Sequence, residues 1–306
     1  MPQTKILMLS TDKNVFNSDS AVAKRLLGYG DFFDHLDVIV YTKASGGFSV
    51  TKLNDKITLH PTQTIFKPFY FFDAYKLGKS IIRNWQLAIG NCVITSQDPF
   101  ETALVGVFLK RKFHLPLQIQ IHSDPLSPYF AKESLKNRIR VILAKRLIPK
   151  ADGWRVVSDR VKRSILSRFP FLSESKIAVL PISVDPERIS AQSVKTDLRK
   201  KYPDRFIILS AARFTIEKNI SLALRAMRQV AREIPRALLL LVGYGPEEGK
   251  LKKLIDIYQL KQSVVIENWT DDLISYYKTA DIFLMTSDYE GGARAPAEAV
   301  AARAPV

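Results

Sequence analysis

The stretch Ala237-Leu-Leu-Leu-Leu-Val-Gly-Tyr-Gly-Pro246 indicates the fold class. Its continuous apolar run predicts a strand that is buried on both faces, as in a parallel sheet. The glycines that follow permit a tight turn with close backbone approach, and a helical pattern then extends to about residue 260. A strand, a turn and a helix in this order form the repeating unit of an α/β protein.

The same alternation extends outward from this unit in both directions. Strands are predicted at 206–210, 264–267 and 282–285, and a helix at 220–234. The first half of the chain predicts further strands at 5–10, 36–41, 92–95, 117–121 and 176–181, with helices such as 18–29 and 100–112. We therefore expect an α/β fold with two tandem Rossmann-like, doubly wound domains, residues 1–185 and 186–306, connected through the polar segment 184–202. A ligand would bind in the cleft between the domains, where the carboxyl ends of the strands face.

The composition is that of a soluble globular protein, with 46% hydrophobic and 25% charged residues. The sequence has no apolar run long enough for a membrane span, and residues 1–10 do not resemble a cleavable leader. We therefore expect a cytoplasmic protein. One cysteine and four scattered histidines argue against a disulfide framework and against a metal site.

The positive charge is concentrated in the first half of the chain. Residues 1–185 carry 27 Lys and Arg against 15 Asp and Glu, whereas residues 186–306 carry 19 against 15. Such a surface is either merely basic and well solvated, or it faces an anionic partner such as a membrane or a polyanionic substrate. No nucleic-acid-binding module is recognisable, so a nucleic-acid partner is not expected.

Two segments of the first half bear on a membrane partner at the inner face of the plasma membrane. Residues 132–150 hold seven Lys and Arg and one Glu, and they predict a basic amphipathic helix. Its apolar stripe comprises Leu135, Ile139, Ile142, Leu143 and Leu147. The stripe either docks on anionic lipid or packs on the sheet, and packing is the favoured interpretation. The aromatic run 66–72 lines an acceptor site, contacts lipid or packs in the core.

Two cations follow the strand at 206–210. Arg213 lies in the loop after the strand and Lys218 at the start of the next helix, where a planar guanidinium, an ammonium and a helix N-terminus together suit a diphosphate. Ordinary surface charge is the alternative. Gly243 and Gly245 do not form a dinucleotide-binding fingerprint, because Glu248 occupies the position of the third glycine.

Two glutamates follow the strand at 282–285. Glu290 lies in the loop, and Glu298 lies two turns into a helix predicted at 293–302. Carboxylates accept hydrogen bonds from vicinal hydroxyls and therefore suit ribose and hexose recognition. Glu298 could instead be an exposed helix residue, but its neighbours are small and apolar, so a buried carboxylate there needs partners.

In combination these motifs resemble the donor half of glycosyltransferase family 4, which comprises retaining enzymes of the GT-B fold. They occur in the family's order: AARFTIEKN (211–219), VGYGP (242–246), DYEGG (288–292) and AEAVAARAPV (297–306). The first half is similar to the family's acceptor domain more loosely, through KILMLS (5–10) and IHSD (121–124). The resemblance implies transfer of a sugar from a UDP- or GDP-linked donor to a lipid-linked, polysaccharide or other glycan acceptor in cell-envelope biosynthesis.

The resemblance also implies roles for single residues. Arg213 and Lys218 would hold the donor diphosphate and stabilise the leaving group, without a metal or another cofactor. Glu298 would accept from the ribose hydroxyls, and Glu290 would bind the transferred sugar. His122 would reach that sugar from the acceptor domain. The further candidate donor contacts are Ser18, Gly243, and the backbone around Gly292, Ala293 and Arg294.

The sequence departs from the family pattern at several positions. The loop at 14–21 lacks the usual Gly-Gly pair, and Gly291-Gly292-Ala293 replaces a Gly-aromatic-Gly triplet. Arg303 stands where a glycine is usual, and the second domain is expected to be one or two α/β units short. These departures keep two alternatives open: a catalytically impaired binding protein of the GT-B fold, and a nucleotide-sugar epimerase of the same fold.

Overall fold

The structure is a computed structural model that describes residues 4–85, 91–181, 184–292 and 294–306. The chain forms two compact units, one up to Leu180 and one from Pro181 onward. The division between them lies a few residues before the boundary that the sequence predicts after Asp185. Each unit has its own sheet. The segment between the last strand of the first sheet and the first strand of the second sheet carries helices that belong to the second unit.

The first unit is built on an eight-stranded sheet with the order β3-β4-β2-β1-β5-β6-β7-β8. Its strands are parallel except for β3, which pairs antiparallel with β4 at one edge. Strand β1 lies inside the sheet between β2 and β5, with Leu7 and Leu9 fully buried. The strands are β1 (Lys5–Ser10), β2 (His35–Val40), β3 (Thr51–Lys52), β4 (Ile57–Pro61), β5 (Cys92–Ser96), β6 (Leu117–Ile121), β7 (Gly153–Val156) and β8 (Ile177–Val179).

Helices connect these strands on both faces of the sheet. Because crossover connections are right-handed, a change in direction along the sheet places a helix on the opposite face. Helices α2, α3 and α4 therefore lie side by side on one face, with α3 in contact with both neighbours, and α1 lies on the other. The helices are α1 (Ala21–Gly28), α2 (Tyr70–Asn84), α3 (Glu101–Phe113), α4 (Leu135–Leu147) and α5 (Asp159–Arg168).

The second unit has a four-stranded parallel sheet with the order β11-β10-β9-β12. Separate apolar clusters cover its two faces, one around helices α8 and α9 and the other around α10 and α11. The strands are β9 (Phe206–Ala211), β10 (Ala237–Val242), β11 (Val264–Glu267) and β12 (Ile282–Phe283). The helices are α6 (Pro186–Ala191), α7 (Leu198–Lys201), α8 (Ile220–Glu233), α9 (Glu248–Ile257), α10 (Leu273–Thr279) and α11 (Arg294–Ala301).

The strand order of the second unit creates one favoured place for a ligand. From β9 the chain proceeds outward to β10 and β11, and then returns to place β12 on the other side of β9. The loops after β9 and β12 consequently diverge at their carboxyl ends. Such a switch point leaves a crevice between the two loops, and open α/β sheets bind their ligands there.

The structure confirms the predicted α/β fold with two Rossmann-like units. It reproduces the predicted strands at Lys5–Ser10, Leu117–Ile121, Ala237–Val242 and Val264–Glu267. The sequence analysis did not identify β3, β4 and β7. Helix α1 begins at Ala21 rather than at residue 18, because the Ala23 N–H donates to the Ser20 hydroxyl and thereby caps the helix. The predicted cleft between the units stays a prediction.

The favoured interpretation of helix α4 is wrong for three of the five residues of its stripe. Leu147 is buried as predicted, but Leu135, Ile139 and Ile142 are exposed by 71%, 54% and 48%. The helix contacts α3 along one side, and Leu143 of the stripe is half-buried. Ala144, which the stripe did not include, is fully buried.

Candidate functional site

A cavity of about 260 Å³ lies in the second unit at the carboxyl ends of β9 and β12. Its position is the switch point of the sheet, where a ligand is expected. The lining combines apolar side chains with cations, one carboxylate and three hydroxyl side chains. It consists of Ser210, Ala211, Ala212, Arg213, Lys218, Ile220, Trp269, Phe283, Leu284, Met285, Thr286, Ser287, Glu290, Gly292, Arg294, Ala295 and Pro296.

Arg213 reaches this cavity from the loop that follows β9. Its side chain is 73% exposed, and its Nη2 atom lies 3.5 Å from Glu217 Oε1. The Thr215 hydroxyl donates to the same carboxylate oxygen at 2.6 Å. Since the long contact to Glu217 restrains the guanidinium only weakly, Arg213 can turn its donor fork toward an anion in the cavity.

Lys218 and Glu290 form a close ion pair inside the cavity lining. The Lys218 Nζ atom donates to Glu290 Oε1 at 2.5 Å, and the side chains are 18% and 22% exposed. Both side chains are therefore mostly shielded from water. The pair brings the turn after β9 together with the loop after β12, although the two residues are far apart in sequence.

Further hydrogen bonds join the same two loops. The Thr286 hydroxyl lies 3.2 Å from the Lys218 carbonyl oxygen and 3.1 Å from that of Asn219. The Asn219 side-chain amide donates to Asp288 at 2.9 Å, and the Asp288 N–H donates to the Glu217 carbonyl oxygen at 2.9 Å. Asn219 has a φ of 43°, a left-handed conformation that asparagine tolerates. These contacts fix where the Lys218 ammonium enters the cavity.

Helix α11 contributes a second ion pair. The Arg294 Nε atom donates to Glu298 Oε1 at 2.7 Å, four residues along the helix, and the side chains are 61% and 18% exposed. Arg294 lines the cavity, whereas Glu298 lies behind it on the same helix. Burial raises the pKa of the adjacent Tyr277 hydroxyl, the charge of Glu298 raises it further, and the charge of Arg294 lowers it. Tyr277 therefore stays protonated near Glu298.

The glycine turn after β10 supports the segment that carries Arg213. A Cβ atom on Gly243, whose φ is 153°, would lie 2.0 Å from the Ala212 carbonyl oxygen. A Cβ atom on Gly245 would lie 2.4 Å from the Phe214 carbonyl oxygen. The Phe214 N–H donates to the Tyr244 carbonyl oxygen at 2.9 Å. Gly243 is thus packed against the backbone next to Arg213, outside the cavity lining.

Two of the lining residues to which the sequence analysis assigned no role have side chains that suit a ligand. Trp269 follows β11 and is 48% exposed, and Ser287 follows β12. The buried Ser287 hydroxyl has no hydrogen-bond partner among the described residues. Both residues lie just beyond a strand at the carboxyl edge of the sheet, and that position is the signal that could have identified them.

The remaining predicted site residues in the described chain belong to the first unit. Ser18 is exposed in the turn before α1. His122 follows β6 and retains an exposed surface, yet partial burial, followed by the charges of Arg155 and Arg25, lowers the pKa of its imidazole to about 4. His122 is therefore neutral at physiological pH. The contributions of both residues to a donor site stay predictions.

Two predictions remain, one on a site residue and one on cofactors. Ala293, a predicted donor contact, lies outside the described residues. Within the described ranges, no group of three or more His, Cys, Asp or Glu side chains is arranged to hold a metal ion. The expectation that the chemistry needs no metal or other cofactor stays a prediction.

Comparison with known proteins finds a family model that matches most of the second unit. Residues 194–306 match the family described as glycosyl transferases group 1. An uncharacterized glycosyltransferase of Methanocaldococcus jannaschii is 25% identical over 239 residues, which are 76% of this chain and 57% of that protein. Alpha-monoglucosyldiacylglycerol synthase of Streptococcus pneumoniae is 24% identical over 249 residues, which are 78% of this chain and 55% of that protein.

A solved structure shows the same fold over almost the whole chain. Anabaena HepE in complex with UDP superposes with a TM-score of 0.69 at 17% identity, and the match covers 99% of this chain and 80% of that one. The fold of the chain is therefore the GT-B arrangement of two Rossmann-like domains. By contrast, the sequence matches span only slightly more than half the length of the two curated relatives.

Proposed function

We propose, from the match of residues 194–306 to the glycosyl transferases group 1 family, that the protein transfers a sugar from a UDP- or GDP-linked donor to a glycan acceptor. The acceptor is a lipid-linked sugar, a polysaccharide or another glycan, and the configuration of the transferred sugar is retained. One observation carries the proposal: Arg213, Lys218, Glu290 and Arg294 converge on one cavity at the switch point of the donor-side sheet.

The proposed mechanism relies on cations that stabilise the leaving group. The bond between the anomeric carbon and the diphosphate oxygen breaks, and negative charge accumulates on the departing nucleoside diphosphate. Arg213 and Lys218 neutralise that charge in a partly shielded cavity, where such interactions are stronger than in water. The acceptor oxygen attacks the face that the diphosphate leaves and forms the new bond to the anomeric carbon, while its proton passes to the departing diphosphate oxygen. No enzyme nucleophile is therefore required.

Other residues would bind the remainder of the donor. Glu298 accepts hydrogen bonds from the ribose hydroxyls, and Arg294 holds its carboxylate in place at 2.7 Å. Glu290 exchanges its contact with Lys218 for hydroxyls of the transferred sugar. The unpartnered hydroxyl of Ser287 is available to the donor as well. His122 acts as a neutral hydrogen-bonding group, since its pKa of about 4 keeps it uncharged.

Calorimetric titration with UDP and GDP, in the presence of a chelator, tests the donor site. We expect micromolar binding of one nucleotide, which Arg213→Ala and Glu298→Ala abolish or weaken strongly. Arg232→Ala, which removes an exposed arginine of α8 outside the cavity, is the matched control and should bind normally. Absence of binding to the unaltered protein, or equal binding by all variants, would contradict the proposal.

Product analysis distinguishes the transferase from other enzymes of this fold. Incubation with the nucleotide sugar alone should leave its sugar unchanged, because transfer needs an acceptor. An epimerase, by contrast, converts the sugar of the donor without an acceptor. Saturable donor binding without transfer to any tested acceptor would indicate a binding protein. Coupling constants of the product's anomeric proton report whether configuration is retained.

We further propose that the first unit attaches to an anionic membrane surface through the face formed by α2, α3 and α4. Five apolar side chains in the segment before α2, at the start of α2 and on α3 are exposed by 43–73%. The Phe71 ring contacts both Phe72 and Phe108 at centroid distances of 5.3 and 5.2 Å, which links α2 to α3. The five exposed side chains are Ile65, Phe66, Phe69, Phe72 and Phe108.

The same helices and the segment before α2 also carry exposed cations. Helix α4 adds exposed Leu135, Ile139 and Ile142 to the surface. Exposed apolar side chains among lysines and arginines are typical of interfacial binding to anionic lipid, where apolar burial and electrostatic attraction act together. The exposed cations are Lys67, Lys76, Arg83, Arg111, Lys112, Lys136, Arg138, Lys145 and Arg146.

Two further observations are relevant to a membrane location. No helix in the described ranges has the length and apolar character needed to cross a bilayer. The pneumococcal relative is, by its name, a synthase of a glucosyldiacylglycerol, and this name supports a lipid acceptor for the present chain. Surface attachment would bring the acceptor unit to such a substrate.

Vesicle co-sedimentation tests the membrane proposal. We expect binding to phosphatidylcholine vesicles that contain phosphatidylglycerol, little binding to pure phosphatidylcholine, and weakening by salt. The variants Phe69→Ser/Phe72→Ser and Arg138→Glu/Arg146→Glu should lose binding. Ile257→Ser, at an exposed apolar residue of the second unit, should retain it. Absence of binding to anionic vesicles, or unchanged binding by both double variants, would contradict the proposal.

A further inference from the structure

Trp269 differs from the other two tryptophans of the chain in its surroundings. Trp85 and Trp154 lie in the first unit, are only 7% and 4% exposed, and donate their indole N–H groups to Asp37 and to the Ile148 carbonyl oxygen. Trp269 lies in the second unit, is 48% exposed and lines the cavity. A large aromatic surface therefore borders a cavity that also holds cations.

The topology places Trp269 and the start of helix α11 on different sides of the cavity. Trp269 follows β11, which is the edge strand of the sheet on one side of β9. Arg294 begins α11, which follows β12 on the opposite side of β9. Arg213 and Lys218 follow β9 itself and therefore lie between them. The cavity thus has an aromatic end, a cationic middle and an end with Glu290 and Arg294.

A sugar nucleotide has its parts in a matching order. The diphosphate lies in the middle, with the nucleoside on one side and the transferred sugar on the other. When the cations hold the diphosphate and Glu290 holds the sugar, the ribose lies at Glu298, which α11 carries toward α10, and the base extends toward the aromatic end. Nucleobases stack well on aromatic side chains because every base has a π face.

We propose that Trp269 stacks on the nucleobase of the donor. This inference rests on the proposed function and adds the residue that holds the base. Stacking on an indole is tolerant of base identity, so Trp269 strengthens the binding of both UDP and GDP and leaves the choice between them to other groups. A truncated side chain should weaken nucleotide binding by roughly tenfold or more.

Tryptophan fluorescence combined with calorimetry tests this inference. Because the other two tryptophans are buried in the first unit, they provide a constant background. UDP or GDP should change the emission with the dissociation constant that calorimetry gives, whereas pyrophosphate, which lacks a base, should leave the emission unchanged. Trp269→Leu should lose the signal and bind nucleotide at least tenfold more weakly, with unchanged affinity for pyrophosphate. Trp269→Phe should restore much of the affinity.

The outcomes separate this inference from the proposed function. If calorimetry detects nucleotide binding but emission does not change and Trp269→Leu binds with normal affinity, the stacking inference is wrong and the donor site stands. Equal losses of affinity for nucleotide and pyrophosphate in Trp269→Leu would show that the residue only supports the fold of the cavity, and would also overturn the inference. If the unaltered protein binds no nucleotide, both proposals fail.

Discussion

Gly243 and Gly245 allow the loop after β9 to pack closely against the turn after β10. Gly243 combines a φ of 153° with a carbonyl oxygen at 2.0 Å from the position of a Cβ atom. Any side chain there must displace the backbone of Ala212, next to Arg213. The glycine pair thus has a steric function, in addition to any contact with a donor.

We predict that Gly243→Ala destabilises the second unit by roughly 3 kcal/mol, because both its conformation and its contacts become unfavourable. Chemical denaturation followed by circular dichroism measures the change. Gly249→Ala is the control, since a Cβ atom there meets nothing within 4 Å on helix α9, and it should leave stability unchanged or raise it slightly. Equal stability of the two variants would show that the turn can relax.

His122 provides a pH-dependent test in the first unit. Its folded-state pKa of about 4 lies below the value near 6.5 that an unfolded chain has. The unfolded state therefore binds the proton first as the pH falls, and the protein should lose stability between about pH 6.5 and 4. His122→Gln should lack this part of the loss. An imidazole that titrates near 6.5 by NMR would contradict the prediction.

At the scale of single elements, the turn at Ile216–Lys218 depends on the loop after β12. Thr286 connects them by contacts to the carbonyl oxygens of Lys218 and Asn219. Because Lys218 can meet a diphosphate only if the turn keeps its place, these contacts act on the ligand through Lys218. Thr286 is therefore a positioning residue.

We predict that Thr286→Val lowers the affinity for UDP or GDP several-fold and costs about 1 kcal/mol of stability, the usual contribution of a hydrogen bond. The control is Thr279→Val, which removes a hydroxyl that bonds to Ser275 and Leu198 within α10 and its neighbour. The control should lose similar stability and keep its nucleotide affinity. Parallel losses of affinity in both variants would indicate a general effect on the fold.

The sequence predicts some elements better than others for identifiable reasons. Strand β10 is an uninterrupted apolar run, and its predicted bounds are correct. Strand β4 alternates buried residues with half-buried Thr58 and His60, and β7 contains Arg155, so neither forms an apolar run that stands out from its surroundings. Helix α4 has an amphipathic pattern, but the pattern alone does not indicate whether its apolar side packs against the rest of the protein or stays exposed.

The candidate site was predictable in so far as it follows strand ends. Arg213, Lys218 and Glu290 were singled out for that reason, and the structure brings them to one cavity, although their roles stay predictions. Trp269 was not singled out because a lone tryptophan is usually a core residue. The close pairing of Lys218 with Glu290 depends on the strand order, which sequence spacing does not reveal.

At the scale of the whole molecule, the two proposed interactions belong to different units. The donor cavity lies in the unit that begins at Pro181, whereas the apolar and basic face lies on α2, α3 and α4 of the other. The positive charge is likewise concentrated in the first half of the chain, where residues 1–185 hold 27 Lys and Arg and only 15 Asp and Glu.

Hydrogen–deuterium exchange should separate these two interactions. UDP or GDP should protect the segments around 211–219 and 284–298, and leave α2 and α4 unchanged. Anionic vesicles should protect α2 and α4 and leave the cavity segments unchanged. Protection of α4 by nucleotide, or of the cavity segments by lipid, would show that the two surfaces are not separate.

The pairing of Lys218 with Glu290 and of Arg294 with Glu298 means that the empty cavity already contains its own counter-ions. A free anion that binds at Lys218 must displace the tethered Glu290 carboxylate, and a single small ion offers little in return. A sugar nucleotide offers its diphosphate to Lys218 and its sugar hydroxyls to Glu290, so both side chains gain a new partner when their mutual contact breaks. Inorganic phosphate should therefore compete only weakly with the donor at Lys218.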